Sequence, residues 1–403
     1  MTQRLYYTDS FLCNFDAEVA QVIPGERTAV VLDRTAFYPT SGGQVFDTGL
    51  LSANGTSARV VEVAEDESGR ILHYIESTAQ ALAAGQKVSG TIDADRRRDH
   101  MQQHSGQHVL SAGFIELFQM PTVSFHMGNE SCTIDLSTKA VTAEQIVKAE
   151  ELANRVVFEN RPVTVRFVSV DEARTLGLHK LPELQKDEMR LVEIKDLDLC
   201  ACGGTHVAHT SQIGPILIRK TEKVKQGVRV EFVCGDRALK TSQKDFAVLT
   251  EAAALFSSHI YDIPQQIRKT LDEAKAGQKR QHALLEEIAE LQAADLAANA
   301  QKAGGFRVVK QVFTDRDLAF IKLLAQKLTK CHGLLALLGS TVLPPAVVFA
   351  RSADVDVDVR ALMKQAMDDC GGRGGGSNDL AQGGVPDAAA VAPLVEKMAS
   401  ELQ

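Results

Sequence analysis

Two short pairs of metal-ligand residues constrain the fold of this chain more than any other sequence feature. The first is His104-Ser-Gly-Gln-His108, and the second, far along the chain, is Cys202-Gly-Gly-Thr-His206. The i, i+4 spacing of the first pair places both imidazoles on one face of a helix, which we predict over residues 93–118. The two glycines of the second pair allow a tight turn that presents the thiolate and imidazole together. If both pairs bind the same cation, the fold must bring two distant segments together.

Three imidazoles and a thiolate suit zinc better than calcium or magnesium, which prefer oxygen ligands. We therefore predict one Zn²⁺ per chain, held by His104, His108, Cys202 and His206. His100, one helical turn before the first pair, and His209, three residues after the second, are rival ligands that the spacing does not exclude. Cys200 is either a spectator or a redox-sensitive thiol beside the site.

Four segments carry a resemblance to alanyl-tRNA synthetases, in the same order. Residues 98–110 and 200–207 resemble the two metal motifs of the synthetase editing domain. Residues 33–49 are similar to the glycine-rich motif that precedes that domain, and residues 371–384 to the glycine-rich segment of the C-terminal domain. The aminoacylation and recognition domains have no counterpart. The architecture is therefore similar to the long form of the free-standing alanyl-tRNA editing proteins of the AlaX type.

The resemblance implies a zinc-dependent trans-editing hydrolase that deacylates mischarged alanine tRNA, with serine the main error and glycine another. By resemblance alone, it also implies ATP binding. A pocket sized for alanine cannot strongly exclude glycine, and an apolar site rejects an added hydroxyl only weakly. Candidate readers of the serine hydroxyl are Thr35, Thr40, Ser41, Ser124 and His126. Gln44 and Asp47, from the glycine-rich segment, are candidate catalytic residues beside the zinc.

Two other functions remain open at this stage. Four protein ligands close the zinc tetrahedron, which is the structural pattern, whereas a catalytic zinc keeps one position open. A non-catalytic tRNA-binding protein with a structural zinc is therefore an alternative. The other is a zinc hydrolase that acts on a small ester, although such a substrate would not require the long helical and C-terminal segments.

Charge and composition limit the possible partners and location. The chain has 403 residues and a net charge of −8, which argues mildly against a nucleic-acid partner. Basic residues nevertheless cluster within 96–98, 219–229 and 268–280, and local potential is what a nucleic acid meets. No apolar run is long enough to cross a bilayer, the first residues lack a secretory signal, and the seven cysteines are scattered. We expect a cytoplasmic protein with no membrane partner.

The fold class predicted from the hydrophobic pattern is α+β in four parts. These are a small β-barrel with the glycine-rich loop (1–90), an α+β zinc editing domain (91–235), a helical hairpin or coiled-coil linker (236–303) and a small α/β domain (304–403).

The linker and the C-terminal domain carry further predictions. Pro264 and Gly277 are expected to break the linker helices, and Leu284, Ile288 and Leu291 form the stripe expected to pack. The glycine-rich segment 371–384 is predicted to be a loop that serves tRNA binding or dimer formation rather than chemistry. A homodimer through the helical and C-terminal regions is plausible on this basis.

Overall fold

Two units, Met1–Glu251 and Ala252–Gln403, divide the chain. The computed structural model describes residues 2–76, 82–176, 188–225 and 227–402. Helices and strands occur in both units, which confirms the α+β class. The division into four parts stays a prediction. In the described residues, every helix is too short or too polar to span a lipid bilayer.

The first unit begins with a barrel, as predicted. Its strands are β1 Gln3–Arg4, β2 Asn14–Ile23, β3 Ala29–Leu32, β4 Arg34–Thr35, β5 Gly49–Ala53, β6 Thr56–Glu65, β7 Ile71–Ile75 and β8 Lys87–Ile92. Six of these described strands close an antiparallel barrel in the order β2-β3-β7-β6-β5-β8, while β1 pairs with β4 in parallel. Alternate residues of each strand point inward, and Val30, Leu51 and Val60 are fully buried there.

The rest of the first unit surrounds a long helix. The elements are α1 Ala94–Phe118, β9 Thr122–Met127, β10 Cys132–Leu136, α2 Ala143–Phe158, β11 Val163–Ser169, α3 Val170–Thr175, β12 Glu188–Ile194, β13 Asp198–Ala201, β14 Ile216–Val224, β15 Gly227–Cys234 and α4 Gly235–Leu255. One antiparallel sheet has the order β14-β15-β10-β9, and another has the order β11-β12-β13. Helix α1 confirms the helix that was predicted over residues 93–118.

Helix α1 is unusual because it is polar in sequence and yet largely buried. Its buried side chains therefore need hydrogen-bond partners inside the protein. Gln103 meets this need on the sheet side, where its Nε2 donates to the carbonyl of Cys234 and its Oε1 accepts from the Cys234 N–H, both at 2.9 Å. Such contacts fix the rotation of α1 and thereby the direction in which its histidines point.

The second unit is a sheet with helices on both faces. Its elements are α5 Ile263–Ala298, β16 Gln301–Ala303, β17 Phe306–Phe313, α6 Leu318–Leu328, β18 Leu334–Ser340, β19 Ala346–Arg351, α7 Val359–Cys370, β20 Arg373–Gly376, β21 Leu380–Gly384 and α8 Ala388–Ser400. The strand order is β16-β17-β18-β19-β21-β20. Strand β18 sends alternate apolar side chains to a core with α7 and α8 and to a core with α5 and α6.

Two details of this unit differ from the sequence prediction. The glycine-rich segment is not a loop, because it forms the paired strands β20 and β21; a Cβ on Gly376 would lie 2.3 Å from the Leu380 carbonyl oxygen, so the close pairing requires glycine. Gly277 does not break α5. The break expected at Pro264 does occur, since α4 ends at Leu255 and α5 begins at Ile263 with Pro264 in its first turn.

The packed face of α5 was also predicted incorrectly. The expected leucine-rich stripe is exposed, with Leu284 at 52% and Leu291 at 67%. Instead, α5 buries Ala289, Ala293 and Ala297 against α6. Small residues allow the two helices to approach closely, and this close approach outweighs the larger apolar area of the leucines.

Candidate metal centre

The four residues of the two sequence motifs come together in the structure. The Nε2 atoms of His104 and His206 each lie 3.3 Å from the Sγ of Cys202. Including His108, one ligand atom from each of the four residues lies within 4.8 Å of the others. With Zn–S and Zn–N bonds of about 2.3 and 2.0 Å, tetrahedral geometry places sulfur and nitrogen about 3.5 Å apart. The donor set and its spacing fit one zinc ion.

Helix α1 supplies two of these residues, and the turn after β13 supplies the other two. His104 and His108 are one helical turn apart, with stacked rings whose centroids are 5.2 Å apart. The turn passes so close to α1 that a Cβ on Gly204 would lie 2.0 Å from the Cε1 of His104. Real Cβ contacts are never this short, so the approach of the second motif to the first depends on this glycine.

Gln44 determines which nitrogen of His104 faces Cys202. Its side chain is fully buried, and its Nε2 donates to the Thr205 hydroxyl at 2.9 Å. Its Oε1 accepts from the Thr205 backbone N–H at 3.1 Å and lies 2.7 Å from the Nδ1 of His104. Because an amide oxygen only accepts, Nδ1 carries the proton and Nε2 keeps the lone pair that a metal needs. Gln44 thus contacts a ligand residue and orients it.

The other two histidines have partners of the same kind. The Nδ1 of His206 lies 3.2 Å from the Oγ of Ser105, which follows His104 on α1. The Nδ1 of His108 lies 3.1 Å from a carboxylate oxygen of Asp198. Such partners fix the ring orientation of metal-binding histidines, and their removal typically weakens metal binding. All three imidazoles are therefore held in place by the protein itself.

The electrostatics of the cluster favour an ionised thiol. Burial alone would raise the pKa of Cys202, but the imidazoles of His104 and His206 outweigh it and hold the pKa well below its ordinary value. Burial lowers the pKa of His206 to about 3. Burial would also lower the pKa of His108, but nearby Cys200 and Asp198 raise it well above its ordinary value. The Cys202 thiol is therefore held in the ionised form that binds a metal.

The rival residues lie outside the group of four. His100 is buried, and its Nδ1 lies 3.9 Å from an oxygen of Asp47. His209 is exposed at the surface. Among the described residues, neither belongs to a group that could hold a metal. Cys200 is closer, since its Sγ lies 3.2 Å from the Nδ1 of His108, and these two residues form a second group of potential ligands with Asp198.

Asp47 occupies a buried ion pair. Its carboxylate pairs with Arg97 and accepts a hydrogen bond from the Tyr38 N–H at 2.7 Å. Arg97 is 1% exposed and also donates to the carbonyl oxygens of Ser10 and Ala36. These contacts tie the glycine-rich segment to the first turn of α1. The structure thus gives Asp47 a structural partner, and its catalytic role stays a prediction.

Three of the four ligand residues, His104, His108 and Cys202, line a cleft of about 440 Å³. Its walls include Tyr38, Ser41, Gln107, Ser111, Thr122 and Ser124. Tyr38 and Ser41 come from the glycine-rich segment, and Thr122 and Ser124 come from β9. Both segments were singled out in the sequence, and the fold joins them through a hydrogen bond from the Met127 N–H to the Gly43 carbonyl oxygen at 3.0 Å. The cleft therefore has the polar lining that a small polar group would require.

Two of the five candidate hydroxyl readers lie in this cleft. They are Ser41 and Ser124. Thr35 is fully buried in the barrel, where its Oγ1 lies 2.8 Å from the Nε2 of His73. The remaining candidates, Thr40 and His126, are exposed and do not line the described cleft. The selectivity roles stay predictions, and the geometry favours the two serines.

Nearly the whole chain is similar to a curated editing protein. The alanyl-tRNA editing protein AlaX-L of Pyrococcus horikoshii is 31% identical over 388 residues, which covers 96% of this chain and 95% of that protein. The chain belongs to the AlaX-L family. An alanine–tRNA ligase of Pyrococcus abyssi is also 31% identical, over 406 residues that cover 98% of this chain and 43% of the ligase. The chain therefore spans less than half the length of the alanine–tRNA ligase that it matches.

Family models match three parts of the chain. A model for class II (A) tRNA synthetases matches residues 3–96, the second additional domain of threonyl and alanyl tRNA synthetases matches residues 189–230, and the DHHA1 domain matches residues 330–403. These matches confirm the predicted resemblance. The solved C-Ala domain of Aquifex aeolicus alanyl-tRNA synthetase covers 26% of this chain at 23% identity, with a TM-score of 0.24 that supports no conclusion about the fold.

The residues that support the ligands were not predicted from the sequence. Ser105 and Thr205 each adjoin a ligand in the sequence, and Asp198 precedes Cys202 by four residues. Proximity to a motif is the sole sequence signal for them. Their roles depend on contacts such as the one between Thr205 and Gln44, which are 161 residues apart.

Proposed function

We propose that this chain is a zinc-dependent hydrolase that deacylates alanine tRNA carrying a wrong amino acid, mainly serine and also glycine. The observation that carries the proposal is the group of three imidazoles and one thiolate, of which His104, His108 and Cys202 line a 440 Å³ cleft. The editing function in the name of the P. horikoshii relative supports the choice of substrate.

The proposed site assigns distinct roles to its residues. His104, His108, Cys202 and His206 would hold the zinc. Gln44 and Asp198 orient two of the imidazoles from behind, and they would keep the ligand atoms in place as the substrate enters. When bound, zinc would supply Lewis acidity at the ester, the kind of chemistry that zinc hydrolases use.

The same cleft supports a proposal for selectivity. Ser41 and Ser124 reach it from the glycine-rich segment and from β9. The Ser41 hydroxyl could donate to the hydroxyl of a seryl ester or accept from it, whereas the Ser124 hydroxyl donates to Asp135 at 2.8 Å and would accept. An alanyl ester offers no such partner and would leave a polar group of the site unpaired. Replacement of the responsible serine by alanine should narrow the rate difference between seryl and alanyl esters.

The number of zinc ligands favours a second candidate function. Four protein ligands are typical of structural zinc, and a non-catalytic tRNA-binding protein would need no open position. The cleft argues for the hydrolase, since a purely structural zinc needs no access for a small molecule. Both candidates predict tRNA as the partner and a cytoplasmic location, and we propose these for either function.

The deciding experiment is deacylation of seryl-, glycyl- and alanyl-tRNA for alanine, with and without a chelator. We expect hydrolysis of seryl-tRNA that stops when the chelator is added, and no hydrolysis of alanyl-tRNA. Cys202→Ala should lose both zinc and activity, whereas the matched variant Cys13→Ala, outside the ligand group, should keep both. Tight tRNA binding without turnover would assign the chain to the second candidate, and turnover in metal-free protein would disprove the role of zinc.

A further inference from the structure

A second concavity lies at one end of the four-stranded sheet, on the first unit. It has a volume of about 450 Å³ and is lined by Ser137, Thr138, Lys139, Lys223, Lys225 and Gly227, with Val224. The loop after β10 forms one side, and the end of β14 with the start of β15 forms the other. The two sides are held together by strand pairing, since a Cβ on Gly227 would lie 2.0 Å from the Leu136 carbonyl oxygen.

The lysines of this concavity differ from the other basic residues of the same hairpin. Arg219, Lys220 and Arg229 are each paired with a carboxylate, from Asp245, Glu222 and Asp135. In contrast, Lys139, Lys223 and Lys225 have no carboxylate within 4.0 Å in the part of the chain that the structure describes. All three are exposed. A chain with net charge −8 thus presents three uncompensated cations around one surface depression.

A backbone hydrogen bond joins the lining of this concavity, called the lysine cleft below, to the lining of the metal cleft. The Ser137 N–H donates to the carbonyl oxygen of Pro121 at 2.9 Å, and Pro121 lines the metal cleft. Strand pairing also places Thr122, Leu136, Val228 and Lys223 in one row across β9, β10, β15 and β14. Three strand spacings of about 4.8 Å separate Thr122 from Lys223 by about 14 Å.

That distance runs from the wall of the metal cleft to the lysines, and it can be compared with the length of a tRNA strand. If the 3′ ester lies in the metal cleft, as the proposed function requires, the strand must leave the cleft along one of its walls. A stacked strand advances about 3.4 Å per nucleotide, so 14 Å corresponds to about four nucleotides. The end of the unpaired 3′ strand and the start of the acceptor stem lie within this reach of the cleft wall, and their phosphates carry the charge that three free lysines attract.

We propose that Lys139, Lys223 and Lys225 bind backbone phosphates of the tRNA acceptor end, about four nucleotides beyond the Thr122 wall of the metal cleft. The inference rests on the proposed function for the position of the ester. The hydroxyls of Ser137 and Thr138 add hydrogen-bond donors at the same cleft. Because phosphate contacts position the nucleic acid without reading its sequence, the lysines fix where the strand runs and leave amino-acid selectivity to the metal cleft.

The test is the triple variant Lys139→Gln, Lys223→Gln, Lys225→Gln. Its affinity for uncharged alanine tRNA, measured by fluorescence anisotropy over a series of KCl concentrations, should fall by about tenfold at low salt. The slope of log affinity against log salt should become shallower by about 2, since each contact on a single strand contributes about 0.7. The matched control is Lys148→Gln, Lys240→Gln, Lys244→Gln, which removes the same charge from α2 and α4 and should leave both values near those of the wild type.

Kinetics separates this inference from the proposed function. With seryl-tRNA, the triple variant should raise KM and leave kcat unchanged, and with the seryl ester of adenosine, which lacks phosphates, it should match the wild type. If the wild type hydrolyses neither substrate, the proposed function fails, and the anisotropy result still decides on the lysines. Unchanged affinity and salt slope in the triple variant, or an equal loss in the control, would overturn the inference.

Discussion

Replacement of Gln44 is the most direct test of how the metal centre is organised. Gln44→Met keeps the approximate length of the side chain and removes its amide. The Nδ1–H of His104 and the N–H of Thr205 would then lose their buried acceptor, since both now meet the same Oε1 at 2.7 and 3.1 Å. Each unsatisfied buried donor costs about 1–3 kcal/mol.

The expected loss of zinc affinity follows from these contacts. His104 would no longer be held in the tautomer that presents Nε2 to Cys202. Loss of such a partner typically weakens metal binding by about 10–100-fold. That range corresponds to about 1.4–2.8 kcal/mol. The zinc affinity of Gln44→Met should therefore be about 10–100-fold lower than that of the wild type. The variant should lose editing activity at limiting zinc and recover part of it when the zinc concentration is raised.

The assay is competition for zinc between the protein and a chromogenic chelator at constant pH. The matched control is Thr205→Val, which removes the hydroxyl that Gln44 donates to and keeps the Thr205 N–H that fixes Oε1. This variant should lose much less affinity. If Gln44→Met, folded as judged by circular dichroism, bound zinc as tightly as the wild type, the role of Gln44 in orienting His104 would be refuted.

Three further predictions concern the fold that supports the site. Asp47→Ala leaves the buried Arg97 uncompensated and should destabilise the protein by about 3–5 kcal/mol in denaturant unfolding; retained stability would contradict the ion-pair assignment. Burial lowers the pKa of His73 from 6.5 to about 4. Between these two pH values the imidazole is protonated in the unfolded chain and neutral in the folded protein. The free energy of unfolding should therefore decrease by about 3 kcal/mol, through His73 alone, as the pH falls from 6.5 to 4. His73→Leu should flatten the plot of unfolding free energy against pH in this window, and an unchanged slope would contradict the prediction. Gly49→Ala places a Cβ 2.1 Å from the Thr91 carbonyl oxygen and should cost about 1–3 kcal/mol or more, read as a lower Tm.

Local patterns in the sequence were enough to indicate the composition of the metal site. Helical spacing puts His104 and His108 on one face, and the flexible glycines allow Cys202 and His206 to converge. The α+β class and the N-terminal barrel were also predictable, because strand alternation and helical periodicity are properties of neighbouring residues. The family followed from motifs in a shared order, and the AlaX-L relative confirms it.

Contacts between distant segments decided the rest. Nothing local distinguishes His100 from His104, yet the fold leaves the Nδ1 of His100 3.9 Å from Asp47 and places the Nδ1 of His104 2.7 Å from Gln44. The pattern on α5 suggested a leucine stripe as its packed face, and tertiary packing selected the alanines instead. The sequence therefore determined which residues can bind a metal and which segments are helix or strand, since both depend on spacing along the chain. Only the tertiary structure decided the orientation of each imidazole, the partners behind it and the cleft in front, since these depend on which distant segments the cores bring into contact.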